Sequence, residues 1–253
     1  MIKLIRPDKP SQLTEETEQA LIEEYASTGK SVWRKEYITQ NLLNMSSNKC
    51  SYCELKLNVQ SREMHVEHFH CKDLYKDEVV KWENLLPSCR QCNSNKGTWN
   101  TKLYPIIDPT VLNPKDYLCI QFHTIKSKDN NRDSIGYRTI EIFDLNNRER
   151  LVNLRLELAE AIMVKLSDIN DKLQRYMKNT EDTRSRNRII RTLRDVLKMT
   201  QPYAEFSAFL SSILLNLDDY KEIRDSLIKL NLWDTEMETL HRCANEIKLE
   251  IKY

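Results

Sequence analysis

Two cysteine pairs constrain the fold of this 253-residue chain more than any other feature. The segments Cys50–Cys53 and Cys89–Cys92 each hold two cysteines with two residues between them. That spacing turns two thiolates onto one ion, and two such knuckles complete a closed tetrahedral zinc site. The sequence therefore predicts a structural Zn²⁺ held by Cys50, Cys53, Cys89 and Cys92. Four unrelated buried cysteines are the alternative.

Composition favours a globular, largely helical protein. Hydrophobic residues make up 40% of the chain and charged residues 30%, and only three glycines occur. The net charge of +1 is not that of a strongly basic nucleic-acid binder, so any such contact must come from local patches. We expect a cytoplasmic protein without a membrane contact, because neither a signal peptide nor a long apolar run is found. Cysteines outside the zinc site are then expected to be buried thiols.

The pattern of apolar residues predicts helices at both ends of the chain and short strands between them. Near the zinc ligands, we expect a strand ending in Glu67-His68 and a helix opening near Ser88. Residues 117–122 and 137–142 alternate as two strands of a hairpin around a polar loop. Helices are predicted at residues 11–27, 32–45, 151–173, 184–200, 203–217, 219–230 and 234–249.

These elements group into four segments. Residues 1–45 form a helical lead, 46–105 the zinc-bound module, 106–145 a connector with the hairpin, and 146–253 a helical bundle suited to docking a partner. The predicted fold class is therefore mainly α, with a small α+β module around the zinc and a helical C-terminal region.

Between the two knuckles, the sequence brings together residue types that hydrolyse phosphodiester bonds. Glu67 and His68 adjoin, and Asn93 directly follows the last cysteine. Such hydrolysis needs a general base to deprotonate water and a metal ion to offset charge on the phosphate. The carboxylate of Glu67 and the amide of Asn93 are hard oxygen ligands, which predicts catalytic Mg²⁺ or Mn²⁺.

These motifs resemble the HNH endonuclease family, whose pattern is a zinc-knuckle pair around an acid-His dipeptide, an internal Asn-Leu and a Cys-Asn-x-x-Lys segment. The likeness covers about 50 residues and implies a ββα-metal fold. It implies that His68 is the general base and Glu67 a ligand of the catalytic metal. It also implies that Asn84 holds the histidine loop, that Asn93 is the second metal ligand and that Lys96 faces phosphate.

Segments along the whole chain narrow this resemblance. Lys3–Pro7, Cys50–Glu54, Val66–Phe69 and Trp82–Leu86 are similar to the HNH subunits, called PtuB, of Septu-type and retron-linked anti-phage systems. The resemblance implies a defence effector that acts on phage or plasmid DNA with an ABC-like ATPase partner. Residues 70–72 are His-Cys-Lys where that group often has Arg-Pro-Lys, which puts in doubt any role of the missing arginine.

Further polar residues are candidates for substrate contacts. In a strand, His65 shares a face with Glu67, whereas His68 and His70 share the other face. The predicted substrate-facing side chains are His65, His70, Lys96 and Arg90. Trp82 is expected to pack in the core rather than to stack on a base. Cys71, Cys119 and Cys243 are expected to be buried thiols.

A basic segment near the C-terminal end has no assigned role. Between Arg184 and Lys198 lie six cations and one acid, and Arg184, Arg188, Arg191 and Lys198 fall on one helical face. A solvated face, a nucleic-acid contact and a partner contact all remain open.

Two other functions fit the same residues. One is a zinc-finger scaffold that holds DNA or a partner without cutting, which a replacement of Glu67, His68 or Asn93 would have favoured. The other is an RNA-directed HNH nuclease toxin, which shares the active site and differs in its substrate groove. Cleavage of DNA and of RNA by the chain and by its His68→Ala variant separates these hypotheses.

Overall fold

The architecture is known from a computed structural model, which describes residues 1–59 and 62–252. The helices are α1 (Glu15–Thr28), α2 (Glu36–Met45), α3 (Arg90–Lys96), α4 (Ile135–Phe143), α5 (Asn153–Lys178), α6 (Thr183–Lys198), α7 (Ser207–Asn216), α8 (Asp218–Lys229) and α9 (Thr235–Ile247). The strands are β1 (Met64–His68), β2 (Leu85–Cys89), β3 (Leu118–Gln121), β4 (Thr124–Ser127) and β5 (Glu250–Lys252). The predicted helical C-terminal region is confirmed.

The chain divides into two compact units. Unit 1 contains Met1–Leu118 and Lys126–Leu145, and unit 2 contains Cys119–Ile125 and Asn146–Tyr253. The excursion of residues 119–125 means that the chain enters unit 2, returns to unit 1 and enters unit 2 again. The four segments proposed from the sequence stay a prediction, and each unit is described by itself.

The first two helices of unit 1 begin later than predicted. The Oγ1 atom of Thr14 accepts a hydrogen bond of 3.2 Å from Thr17 N, which caps α1, and Gly29 ends that helix with a left-handed φ of 66°. Before α2, Val32 and Trp33 lie in a turn and are buried. Their burial in the core explains the apolar signal that extended the predicted helix backwards.

The strands β1 and β2 and the helix α3 form a small unit that carries the predicted zinc ligands. β1 pairs antiparallel with β2, with His68 opposite Leu85 and Met64 opposite Cys89. The predicted strand ending in Glu67-His68 is confirmed. The helix predicted to open near Ser88 begins at Arg90, because Ser88 still pairs with His65 in the sheet.

The N-terminal segment supports the turn that leads into β2. Nη1 of Arg6 donates to the carbonyls of Trp82 and Leu85, at 2.7 and 2.8 Å. In return, Nε1 of Trp82 donates to Pro7 O at 2.9 Å. Trp82 is buried in a cluster with residues of α1 and α2, which confirms its predicted place in the core. These contacts hold the approach to β2 in one conformation.

The predicted hairpin between residues 117–122 and 137–142 is wrong. β3 pairs with β4 across a turn in which Phe122 has a φ of 56°, and residues 137–142 lie in α4. Oγ of Ser134 caps this helix by accepting from Tyr137 N. The buried positions of α4 follow helical spacing, which the local alternation of residues 137–142 concealed.

Unit 2 is built mainly on amphipathic helices. The long helix α5 buries a stripe that includes Ile162, Leu166 and Leu173, and it packs against α6. Its buried Arg155 lies over the rings of Phe206 and Phe209. The predicted boundaries of α5 to α9 differ from the observed ones by a few residues. No helix in the described part of the chain is long and apolar enough to cross a membrane.

A short strand closes unit 2 where the sequence predicts none. β5 runs parallel to β3, with Cys119 opposite Glu250 and Gln121 opposite Lys252. A strand of three residues leaves almost no periodicity to detect, and its conformation depends on the partner strand.

Candidate active site

The four cysteines predicted as zinc ligands lie together in unit 1. Their Sγ atoms are all within 4.8 Å of one another, and those of Cys53 and Cys89 are 3.8 Å apart. Four thiolates around one Zn²⁺, each at about 2.3 Å from it, lie about 3.8 Å from each other. All four cysteines are buried and none is in a disulfide. The cluster therefore fits a structural zinc ion.

Local backbone geometry produces this cluster. In the first knuckle, Cys50 N donates to Leu55 O at 2.8 Å, and Glu54 takes a left-handed φ of 63° that turns the chain back. Ser51 N donates to Pro87 O at 2.9 Å, which joins this knuckle to β2. The second knuckle spans the end of β2 and the first turn of α3. Hydrogen bonds from the other three thiols hold the pKa of Cys89 well below its ordinary value, as suits a metal ligand.

A cleft of about 430 Å³ lies beside β1 and α3. It brings together most of the residues predicted to do chemistry or to meet substrate: His65, Glu67, His68, Asn93 and Lys96. Residues that the sequence did not single out also line it, and these include Trp33, Arg34, Lys72 and Thr98. Carboxylate, imidazole, amide and cationic groups thus share one cleft.

His68 is held in the form that a general base requires. Its Nε2 atom lies 2.9 Å from Val79 O. Because a carbonyl can only accept, Nε2 carries the proton and Nδ1 keeps its lone pair. The ring of Trp33 meets the imidazole edge-on at 4.5 Å between centroids. Burial lowers the pKa of His68 to about 4, so the ring is neutral at pH 7.

Glu67 is buried beside the ammonium group of Lys96. The Nζ atom of Lys96 forms an ion pair with Glu67 Oε1 at 2.6 Å, and it donates to His68 O at 2.7 Å. Burial raises the pKa of Glu67 to about 7, although the Lys96 ammonium opposes this rise. Glu67 lines the cleft, and a carboxylate oxygen is the kind of ligand that a hard cation prefers.

Asn93 and His65 line the cleft with side chains that bond to no described residue. Asn93 lies in the first turns of α3, and His65 is on the same face of β1 as Glu67. Both are half-buried. Their polar atoms are therefore available to a metal ion, to water or to substrate.

Asn84 acts on the loop between β1 and β2 from outside the cleft. Its Oδ1 accepts from His70 N at 2.6 Å, and its Nδ2 donates to the carbonyls of His70 and Glu78 at 3.1 Å. Glu78 precedes Val79, whose carbonyl contacts His68. The buried amide of Asn84 thus fixes the loop that holds the imidazole.

Two predicted substrate contacts are not brought into the cleft. Nδ1 of His70 lies 2.6 Å from Glu78 Oε2, and Lys102 pairs with the other oxygen of Glu78 at 2.7 Å. Arg90 is exposed at the start of α3. Among the described residues that line the cleft, neither His70 nor Arg90 is found.

The remaining cysteines are mostly buried, as expected. Cys71 and Cys119 are buried, whereas Cys243 is only half-buried. Cys71 also lines the cleft. The sequence did not indicate this position, because Cys71 has no second cysteine at the spacing of a metal ligand. The Val79 carbonyl could not be found from the sequence, because every residue has a carbonyl.

Comparison with known proteins shows two related sequences. The chain is 39% identical over 241 residues to a protein named Septu protein PtuB from Bacillus thuringiensis, covering 95% of this chain and 92% of the relative. It is 25% identical over 201 residues to another Septu protein PtuB, from Bacillus mycoides, covering 66% and 67%. No family model matches the chain. No solved structure matches it either.

Proposed function

The chain belongs to the Septu PtuB family, and from that premise we propose that it is a metal-dependent HNH-type endonuclease that hydrolyses DNA. One observation carries the proposal: Glu67, His68 and Asn93 line a single cleft in the unit that the cysteine cluster holds together. A scaffold that only binds would not need a buried, neutral imidazole next to a buried carboxylate.

His68 is the proposed general base. Its Nε2–H is fixed on Val79 O, so Nδ1 takes the proton of the water that attacks phosphorus. The ring is neutral at pH 7, so Nδ1 carries the lone pair to which that proton passes. Trp33 and the loop held by Asn84 prevent the ring from turning away.

Glu67 and Asn93 are the proposed ligands of Mg²⁺ or Mn²⁺. When bound, the ion supplies positive charge that stabilises the negative charge developing on the phosphate and on the leaving oxygen. Glu67 presents a carboxylate at the cleft, and Asn93 presents an amide that bonds to no described residue. Lys96 holds the Glu67 carboxylate and the His68 carbonyl in position from the end of α3.

Other cations are better placed than Lys96 to meet phosphate. The ammonium of Lys96 is buried between Glu67 and the His68 carbonyl, whereas Arg34 is exposed and Lys72 is half-buried at the cleft. We therefore assign Arg34 and Lys72, together with His65, to substrate contacts. Direct phosphate contacts by Lys96, His70 and Arg90 stay predictions.

The biological setting follows from the family. As a relative of Septu proteins, the chain is proposed to be the nuclease effector of a bacterial anti-phage system, with an ABC-like ATPase as its partner. The net charge of +1 also favours a partner, because a nearly neutral chain gains little unaided attraction to DNA. Co-purification with the product of an adjacent ATPase gene tests the partnership.

Cleavage of plasmid DNA by wild type and by His68→Ala tests the nuclease proposal. The assay contains Mg²⁺ or Mn²⁺ and is run with and without the partner ATPase. Loss of a general base is expected to slow cutting by about 10²–10⁴-fold. His123→Ala is the matched control, because His123 is exposed in the β3–β4 turn of unit 2 and should be dispensable.

Two results would contradict the proposal. If His68→Ala cuts as fast as wild type, His68 is not the base. If wild type cuts no DNA even with its ATPase, the binding scaffold is the better assignment. A parallel assay with RNA identifies the RNA-directed alternative by cutting of RNA in preference to DNA.

A further inference from the structure

The rotation of α6 in unit 2 directs a row of arginines to solvent. Ile189, Leu193, Val196 and Leu197 are buried and fix which side of the helix faces the core. Arg184, Arg188 and Arg191 lie on the opposite side and are exposed. At 1.5 Å per residue, these three arginines span about two turns of helix.

The six cations of α6 divide into three with partners among the described residues and three without, and in the first group Nε of Arg186 donates to Asn187 Oδ1 at 3.4 Å. Arg194 pairs with Asp234 and Glu236, and Lys198 pairs with Glu236 at 3.4 Å. The side chains of Arg184, Arg188 and Arg191 make no ion pair or hydrogen bond within the described part of the chain. Part of the basic segment therefore serves the internal packing of unit 2, and the exposed part does not.

The neighbouring helix α5 extends the same positive region. Asp168 of α5 lies within electrostatic range of both Arg188 and Arg175, so Arg175 belongs to the same area. The carboxylate of Asp168 is itself bound by Lys172, which offsets its charge. Asp182, the acid at the start of α6, is engaged by the backbone N–H groups of Arg184 and Ser185. The four arginines Arg175, Arg184, Arg188 and Arg191 form what we call the arginine face.

We propose that the arginine face binds the phosphodiester backbone of duplex DNA, apart from the cleft that does the chemistry. This proposal rests on the proposed nuclease function in one respect, which is that DNA is chosen as the polyanion. Lys198 lies on the same side of α6 but pairs with Glu236, and the cations of that side that form no ion pair with a described residue are all arginines. The planar guanidinium of arginine matches phosphate oxygens with paired hydrogen bonds. A contact to an acidic protein would need no such uniformity, because lysine serves surface ion pairs equally well.

The charge distribution supports a local nucleic-acid footprint. The whole chain carries a net charge of only +1, yet three arginines of α6 that form no ion pair in the described part of the chain share one exposed side of the helix with a single acid, Asp195. Such clustering concentrates positive potential where phosphate contacts release counterions. The face would thus supply affinity without sequence preference, while the cleft in unit 1 supplies the reaction.

Salt-dependent binding of a fluorescently labelled DNA duplex tests the proposal. The full-length chain is used in a His68→Ala background without Mg²⁺ or Mn²⁺, so that no cutting intervenes. Replacing Arg184, Arg188 and Arg191 together by glutamine is expected to weaken binding. It should also reduce the slope of log Kd against log salt concentration by about 3, or about 1 for each lost phosphate contact.

A control variant that loses the same number of positive charges distinguishes an effect of the arginine face from an effect of net charge. It carries Lys229→Gln, Arg242→Gln and Lys248→Gln, three exposed cations elsewhere in unit 2, and should keep the wild-type slope. Far-UV circular dichroism verifies that both variants fold.

The proposal would be overturned if the triple-arginine variant kept the affinity and slope of the starting chain, or if the control variant lost as much DNA affinity. It would also be overturned if the starting chain bound no DNA. A fourth contrary result is a triple-arginine variant that no longer binds the partner ATPase but binds DNA as before. The last result would identify the face as a protein contact. Failure of wild type to cut DNA, with the arginine effect present, would remove the nuclease proposal and leave the arginine face standing.

Discussion

The two units of this chain are stabilised by different means. Unit 1 combines short strands and helices with buried polar groups, among them the ion pairs Lys49–Glu54 and Lys96–Glu67. Unit 2 consists mainly of long helices that bury aliphatic stripes, and its ion pairs lie nearer the surface. The first unit also holds the cysteine cluster and the cleft.

The buried charges and the candidate site lie in the same unit. Burying charges costs free energy, so the buried ion pairs of unit 1 must be offset by other stabilising contacts. A zinc ion on four thiolates is such a contact, because metal binding contributes directly to folding. Unit 2 can fold on apolar burial, which leaves its surface arginines available for binding.

The largest expected effect is the loss of zinc. Structural zinc sites in small domains contribute about 10–16 kcal/mol of apparent binding free energy, comparable with the whole stability of a domain of about 5–15 kcal/mol. Cys89→Ser should therefore release zinc and unfold unit 1 while unit 2 remains folded. Hydrogen exchange read by mass spectrometry should show lost protection in β1, β2 and α3 and retained protection in α5 and α6.

Cys243→Ser is the control for this comparison, because Cys243 lies in unit 2 and is not one of the four clustered cysteines. It should keep the zinc content and the exchange pattern of wild type. Full protection of β1 and β2 in Cys89→Ser without bound metal would show that unit 1 does not depend on zinc.

Breaking an ion pair should have unequal effects in the two units. Lys96→Met leaves the Glu67 carboxylate buried without its cation and is expected to destabilise unit 1 by about 3–5 kcal/mol. Arg194→Gln removes a half-exposed partner of Glu236 in unit 2 and should cost less than about 1 kcal/mol. Urea unfolding measures both changes, and similar losses from the two substitutions would refute the proposed contrast.

A smaller effect is expected from pH, through His68. Burial lowers its pKa from 6.5 to about 4, so between these values the unfolded chain holds a proton that the folded chain lacks. The free energy of unfolding therefore rises with pH in this window, by about 3 kcal/mol for this group. Glu67, with its pKa raised to about 7, contributes in the opposite direction.

Comparing wild type with His68→Gln isolates the histidine, because Glu67 is present in both. The stability of wild type relative to the variant should increase from about pH 4 to about pH 6.5. Tryptophan fluorescence follows mainly unit 1, which contains three of the four tryptophans, Trp33, Trp82 and Trp99, and replacing Trp233 of unit 2 by phenylalanine in both proteins restricts the signal to unit 1. Parallel pH profiles would mean that His68 titrates normally in the folded chain.

The sequence predicted the features that depend on spacing. Paired cysteines at two-residue spacing predicted the cysteine cluster, and apolar residues at three- and four-residue steps predicted α5 and α6. Both signals are local and repeated. The strands β4 and β5 and the helix α4 were missed or misassigned, because short elements take their conformation from the segments against which they pack.

The candidate site was predictable as a set of residues but not as a set of contacts. The adjacency of Glu67 and His68 indicated their shared cleft, yet nothing indicated that the Val79 carbonyl fixes the imidazole. Lys96 was expected to face phosphate, whereas its ammonium lies against Glu67. Which partner a buried charge finds depends on the geometry of the helix end relative to the sheet, and sequence spacing does not report that.

The double passage of the chain through unit 2 bears on how that unit can be isolated. A fragment that starts at Asn146 lacks residues 119–125 and so removes the parallel partner of β5. The N–H and C=O groups of β5 would then form an open edge, which recruits strands from other molecules. A soluble version of the helical unit therefore requires β3 to be grafted back, for instance through a circularly permuted chain that joins it beside β5.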